Sequence, residues 1–174
     1  MDNKPDNLNE RIALRPVVLP DDEEFLIALY YTCREDLQML PIDEEQKKNI
    51  SLMQYMAQKQ HYEKQFPAAG NDIILFDGKA VGRLWIARFE KEIVGVEFII
   101  LPEYRNHKIG TKLLKDLFAE AVATNREFNF YVLRMNEKAQ RLYKRLNCEF
   151  IDETPTHFKM QWKRGNEFIR NTPK

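Results

Sequence analysis

Leu101-Pro102-Glu103-Tyr104-Arg105-Asn106-His107-Lys108-Ile109-Gly110-Thr111 is the stretch on which the reading of this sequence turns. It joins an extended apolar run, Ile93 to Leu101, to the clearest helical pattern in the chain, Thr111 to Ala123. There Leu113, Leu114, Leu117, Phe118, Ala121 and Val122 recur at the spacing of one helix face. A strand feeding a tight loop and then a helix start gathers backbone N–H groups at the positive end of the helix dipole, which favours an anion. Arg105 and Lys108 add positive charge, and Gly110 lets a phosphate approach the backbone. The same residues also suit an ordinary strand–helix turn with solvated basic side chains, and the loop alone does not separate the two. A Walker phosphate loop is excluded, because its early glycine and its Gly-Lys-Ser/Thr are missing, and so is the Gly-x-Gly-x-x-Gly of dinucleotide sites.

Working outward, Arg11 to Val18 alternates as a short strand, with Ile12 and Leu14 set against Arg11 and Arg15. Pro20 to Glu24 opens a helix with acids at its positive end, and Phe25, Leu26, Leu29 and Tyr30 form its apolar stripe. A longer helix is expected over Asp43 to Phe66, with Leu52, Tyr55, Met56 and Tyr62 on one face and Pro67 and Gly70 beyond its end. Asp72 to Phe76 and Val81 to Phe89 flank Asp77-Gly78, a hairpin signal. Ile93 to Leu101 is apolar on both faces, as in a central strand covered on both sides. Phe128 to Leu133 is a strand, and Asn136 to Leu146 a helix with Ala139, Leu142, Tyr143 and Leu146 inward. Cys148 to Asp152 and His157 to Trp162 are the last strands. The expected organisation is an N-terminal tail (1–10), one domain (11–163) and a polar C-terminal tail (164–174). Its fold class is α/β, a mixed sheet with helices on both faces.

Composition bounds the rest. At 174 residues and 20.8 kDa, with 27 basic and 27 acidic residues, the chain is sized for one domain and carries no formal net charge. Bulk charge therefore points to no nucleic-acid or membrane partner. The run from Ile93 to Leu101 is broken by Glu97 and is about half of the roughly 20 residues a membrane helix needs. The start, Met1-Asp2-Asn3-Lys4-Pro5-Asp6, lacks the apolar core of a signal peptide, so a cytoplasmic protein is expected. Cys33 and Cys148 are too few for a disulfide scaffold and read as a reduced, buried pair. His61, His107 and His157 make no metal-ligand spacing with them, so no metal is expected. Ser51, the only serine, lies in a helical pattern without a nucleophile elbow, which argues against serine hydrolase chemistry. Glu97, the one charge in the apolar strand, must be paired or face a cavity, and Arg83 and Arg88 are the candidate partners.

The loop resembles the acetyl-CoA-binding signature of the GNAT superfamily of N-acetyltransferases, Arg/Gln-x-x-Gly-x-Gly/Ala. Arg105, Gly110 and Thr111 match it, while Lys108 stands where the first glycine usually is. Asn136, Ala139, Leu142 and Tyr143 match the superfamily's second motif, and Glu153 to Met160 resembles its final strands. Asn147-Cys148 replaces a common Gly-Phe. The likeness runs from about Ile12 to Trp162 and implies a mostly antiparallel mixed sheet of the acyl-CoA N-acyltransferase type.

The resemblance implies transfer of an acetyl group from acetyl-CoA to a primary amine of a small molecule or peptide, by direct attack in a ternary complex. An amine of pKa near 10.4 is neutral in only about one part in a thousand at pH 7, so a base must take its proton. Glu97 is the candidate base, acting through water, or else the acidic half of a structural ion pair. Tyr143 occupies the position whose hydroxyl protonates the departing thiolate in the family, although spacing alone reads it as a core tyrosine. By resemblance, backbone groups of Phe98, Ile99 and Ile100 pair with the pantetheine arm. Arg105, Asn106, His107, Lys108, Ile109, Gly110 and Thr111 hold the pyrophosphate. Asn136, by position a helix N-cap, contacts the cofactor. The acceptor is expected near Tyr55, Gln58, His61 and Tyr62, residues that are also suited to the core. A non-catalytic acyl-CoA-binding sensor or interaction domain remains the alternative, and monomer and homodimer both stay open.

Overall fold

The structure, a computed structural model, describes residues 8–164. The expected C-terminal tail beyond Arg164 and the first seven residues of the N-terminal tail lie outside the described residues. Leu8–Arg11, expected as the end of a tail and the start of a strand, forms a one-turn helix, α1. There follow β1 (Ile12–Pro16), α2 (Glu23–Thr32), α3 (Glu35–Gln38), α4 (Glu44–Gln65), β2 (Gly70–Phe76), β3 (Lys79–Arg88) and β4 (Glu92–Ile100). A single 3-10 turn at Pro102–Tyr104 leads to α5 (Ile109–Ala123), β5 (Glu127–Leu133), α6 (Glu137–Arg145), β6 (Cys148–Glu153) and β7 (His157–Trp162). The strands form one seven-stranded mixed sheet in the order β1-β2-β3-β4-β5-β7-β6. β1–β2, β5–β7 and β6–β7 are antiparallel and β4–β5 is parallel.

The chain divides into two compact units. The first comprises residues up to Trp85 together with Glu97–Ile109, and the second Ile86–Val96 with the residues from Gly110 onward. In the first unit, α4 begins where the sequence predicts, because Asp43 accepts from the Gln46 N–H at 2.8 Å and caps the helix. Leu26 of α2, Tyr55 of α4 and Ile73 of β2 are the buried heart of its core, with Val17, Phe25, Tyr30 and Leu52 packed around them. Each such side chain contributes about 1.5–3 kcal/mol by leaving water. Asp77 and Gly78 both take positive φ, 50° and 77°, which gives the hairpin the turn the sequence predicts.

Three expectations fail here for one reason: periodicity finds a face but not what covers it. Leu14 is 43% exposed and Met56 41%, although both fall on predicted inward faces. In β4 only Ile93 and Val94 are fully buried, so the strand predicted to be covered on both sides is partly open from Gly95 to Ile100.

In the second unit Phe118 of α5 stacks flat on Trp162 at 4.5 Å, and Phe128 meets Phe118 edge-on. Gly95 lies against Phe130, whose Cβ would sit 3.1 Å from an added methyl. α5 starts two residues earlier than predicted, because Ile109 is only 1% exposed and anchors the first turn.

Candidate functional site

The predicted site residues fall in both units and are described unit by unit. In the first, Phe98, Ile99 and Ile100 occupy the half-exposed end of β4. Gly82 on β3 was missed in the sequence, yet it fixes this region: a Cβ there would lie 2.3 Å from the Ile99 carbonyl oxygen and 3.2 Å from the Ile100 Cα. Only glycine lets the backbones come so close, and a glycine inside an apolar strand was the available signal.

The side chain of Glu97 is buried, although its strand is partly open there, and pairs with Arg83, whose Nη1 lies 3.1 Å from Oε2. Arg83 also donates from Nε to Asn71 Oδ1 at 2.8 Å and lies over the Trp85 ring at 4.2 Å. The other candidate partner, Arg88, bonds Glu120 instead, at 2.6 and 2.9 Å. Burial pushes the Glu97 carboxyl above the usual carboxylate range, while the Arg83 guanidinium pulls it back. Of the residues expected near an acceptor, Tyr55 is buried, His61 exposed and Tyr62 half-buried, edge-on to Trp85. Burial, and after it the charge of Glu97, raises the Tyr62 phenol to about 12.

The loop after β4 is tied back to that strand. Arg105 donates from Nε to the Ile100 carbonyl at 3.1 Å, and its Nη2 reaches Cys33 Sγ at 3.6 Å. Its guanidinium thus holds the loop to the strand end and to half-buried Cys33. His107 rests on Phe76 and Tyr104, with Nδ1 3.1 Å from the Arg105 carbonyl oxygen. Asn106 and Lys108 are exposed and left-handed, with φ of 67° and 62°. The residue standing where the family has glycine therefore adopts the backbone a glycine would adopt, at a cost of about 1–2 kcal/mol.

In the second unit, Gly110 and Thr111 lie in the first turn of α5, which carries no acidic residue that would repel an anion. Asn136 caps α6, accepting from the Ala139 N–H at 3.0 Å. Tyr143 on α6 packs against Phe130 with ring centroids 4.3 Å apart. Burial, with a smaller contribution from Cys148, pushes its phenol up to about 12. Asn147, the second departure from a family glycine, is also left-handed, with φ 63°. Cys33 and Cys148 are both free thiols, although only Cys148 is fully buried.

A family model described as the acetyltransferase (GNAT) family matches residues 32–147. An uncharacterized N-acetyltransferase of Archaeoglobus fulgidus is 37% identical over 75 residues, which cover 38% of this chain and 51% of that protein. The chain thus spans about half the length of that curated relative. Among solved structures, the PaiA N-acetyltransferase of Thermoplasma acidophilum in complex with coenzyme A shares the fold, with TM-score 0.65 and 19% identity over 88% of this chain and 99% of that one. Naa50 of Arabidopsis thaliana, in complex with a bisubstrate analogue, shares it with TM-score 0.58 and 17% identity, also over 88% and 99%. With well over half its length matched by the family model, the chain belongs to the GNAT acetyltransferase family.

Proposed function

We propose that this chain transfers an acetyl group from acetyl-CoA to a primary amine of a small molecule or peptide, without a metal, by direct attack in a ternary complex. The observation that carries the reading is Tyr143, a phenol that stands at the second motif's tyrosine position and packs on Phe130. The residues fit the donor chemically. An exposed, positively charged Lys108 precedes a helix whose first turn has no carboxylate, and the half-exposed end of β4 offers an extended edge to an amide-rich arm. When bound, acetyl-CoA supplies an activated acetyl carbon and a thiol as leaving group.

Asn106 to Thr111 hold the diphosphate through backbone amides, and Phe98, Ile99 and Ile100 align the arm. Asn136 orients the start of α6, which carries Tyr143, and adds a contact to the donor. As the amine nitrogen bonds the acetyl carbon and the carbon–sulfur bond breaks, Glu97 accepts the amine proton through water, and Tyr143 gives its own to sulfur. The acceptor side lies by Gln58, His61 and Tyr62 in the first unit, while Tyr55, expected with them, belongs to the core. Two free thiols suit a reducing, cytoplasmic compartment. The acceptor is a small molecule or a peptide rather than a nucleic acid or a membrane lipid, and among the described residues no helix is long and apolar enough to cross a membrane.

The test pairs binding with turnover. Acetyl-CoA at a hundredfold excess over its dissociation constant should stabilise the protein by about 2.7 kcal/mol. Thiol release with a panel of amines should then rise with pH through the raised pKa of Glu97, and Glu97→Gln should abolish that limb. Tight binding without turnover on any amine would leave the acyl-CoA sensor. The absence of binding would remove the proposal altogether.

A further inference from the structure

Beyond the end of α5 that faces away from its first turn, the second unit holds a cavity of about 400 Å³ lined by Asn125, Arg126, Glu127, Lys163 and Arg164 among others. Three cations line it against one carboxylate, and the carboxylate is engaged: Glu127 accepts from Gln161 Nε2 at 3.0 Å. Lys163 bonds the amide oxygen of the same Gln161. Arg164 donates to Asn125 Oδ1 at 3.1 Å and reaches the carbonyls of Ala121 and Arg126, where it covers the negative end of the helix dipole. Arg126 differs from both. Its Nε is buried and has no hydrogen-bond partner among the described residues. Glu120, which feels the charge of Arg126, has its carboxylate taken up by both donors of Arg88. A buried guanidinium N–H without an acceptor is costly and calls for a group that completes it.

We infer that this cavity is a second ligand site, for a phosphate monoester of a small molecule, with Arg126 as its anchor and Lys163 beside it. A guanidinium pairs with phosphoryl oxygens through parallel N–H bonds. The cavity volume lies in the range of about 300–1,000 Å³ typical of small-molecule sites, which leaves room for more than an inorganic ion. Counted along α5, the site lies about 20 Å from the loop that would hold the donor's diphosphate. It is therefore a separate site, and its existence does not depend on the acetyl-transfer reading.

The test reads Arg126 directly, by the arginine Nε–H signals of the ¹⁵N-labelled full chain, with its signal assigned by loss in Arg126→Lys. Glycerol 3-phosphate should shift that signal saturably, with a dissociation constant of about 1 mM or tighter, and inorganic phosphate should bind roughly tenfold more weakly. The other arginine signals in Arg126→Lys should keep their places, which shows that the variant is folded. A shift reproduced by chloride at equal ionic strength would overturn the site as mere screening. No shift by either phosphate up to about 20 mM would mean that water completes Arg126. Equal affinity for ester and inorganic phosphate would overturn the ester assignment.

Discussion

Glu97 in the first unit and Tyr143 in the second are both acids that burial drives upward, but their surroundings differ in kind. Glu97 faces a guanidinium fixed by Asn71 and stacked on Trp85, so its charge is partly compensated and its environment is a pair. Tyr143 faces an aromatic ring, and the smaller influence of Cys148, a thiol that burial keeps neutral, pushes in the same direction as its own burial. The first arrangement sets a buried carboxyl against a compensating charge, and the second keeps a phenol protonated with none. Asp22 adds a third case. Arg15 reaches it with two bonds at 2.7 Å and the Val18 N–H with a third at 2.8 Å, and these hold its carboxyl down at about 2. Glu97 has one arginine bond at 3.1 Å and moves the other way. What separates two arginine-paired carboxylates is therefore how many bonds the charged form accepts, weighed against its desolvation.

The strongest way to break this comparison is Arg83→Met, which leaves Glu97 buried without a partner. Loss of one half of such a pair costs about 3–5 kcal/mol, whereas an apolar replacement of both halves is close to neutral. Urea denaturation should show that loss in Arg83→Met and recovery of most of it in Arg83→Met/Glu97→Leu. Failure of the double variant to recover would mean that the arginine acts through Asn71 and Trp85 rather than through the carboxylate. Next in size is Tyr143→Phe, which keeps the ring on Phe130 and removes only the hydroxyl. Turnover should fall about 100-fold, equivalent to about 2.7 kcal/mol, with acetyl-CoA affinity unchanged by calorimetry. An equal fall in affinity would reassign the tyrosine to cofactor binding.

Asp22 sharpens the comparison by pH. Its folded pKa lies below the ordinary 3.8, so its stabilisation is present above that value and is lost as pH falls through about 2. Glu97 has the opposite sign: its raised pKa favours the folded state below the carboxylate range, and that contribution is lost as pH rises through the folded value. Asp22→Asn should cost about 2 kcal/mol at pH 7 and flatten the acid limb of a stability–pH curve, since bonds to a charged group are worth about 1.5–3 kcal/mol. A limb unchanged by the substitution would mean that other carboxylates govern acid unfolding.

The sequence made the long elements legible because each has a period and a cap: α4 was bounded by Asp43 and Phe66, and the β2–β3 turn by Asp77-Gly78. It could not show α3 or α1, single turns too short to carry a period. Nor could it choose between Arg83 and Arg88, because that choice depends on Glu120 taking Arg88 from 32 residues away. The loop was found by its setting between a strand and a helix. The use of Arg105 as a tie to Ile100 was hidden, because a guanidinium looks alike in sequence whether it faces solvent or its own backbone.

The smallest effect compares the two residues that stand in for glycine, one in each unit. Lys108 is exposed in its left-handed conformation, so Lys108→Gly relieves strain and should stabilise by up to about 1 kcal/mol, partly offset by the freer unfolded chain. Asn147 takes the same φ but is held twice, donating from its side chain to the Lys163 carbonyl at 2.6 Å and accepting the Lys163 N–H at 2.9 Å. Asparagine also tolerates that conformation better than lysine. Asn147→Gly therefore gives up a hydrogen bond for little relief and should destabilise by about 1 kcal/mol. Opposite signs in thermal unfolding, with acetyl-CoA affinity of Lys108→Gly within about tenfold of the parent, would show one departure as tolerated strain and the other as a working replacement. The same sign at both positions would mean that side-chain bonding at Asn147 adds nothing beyond what backbone geometry already demands.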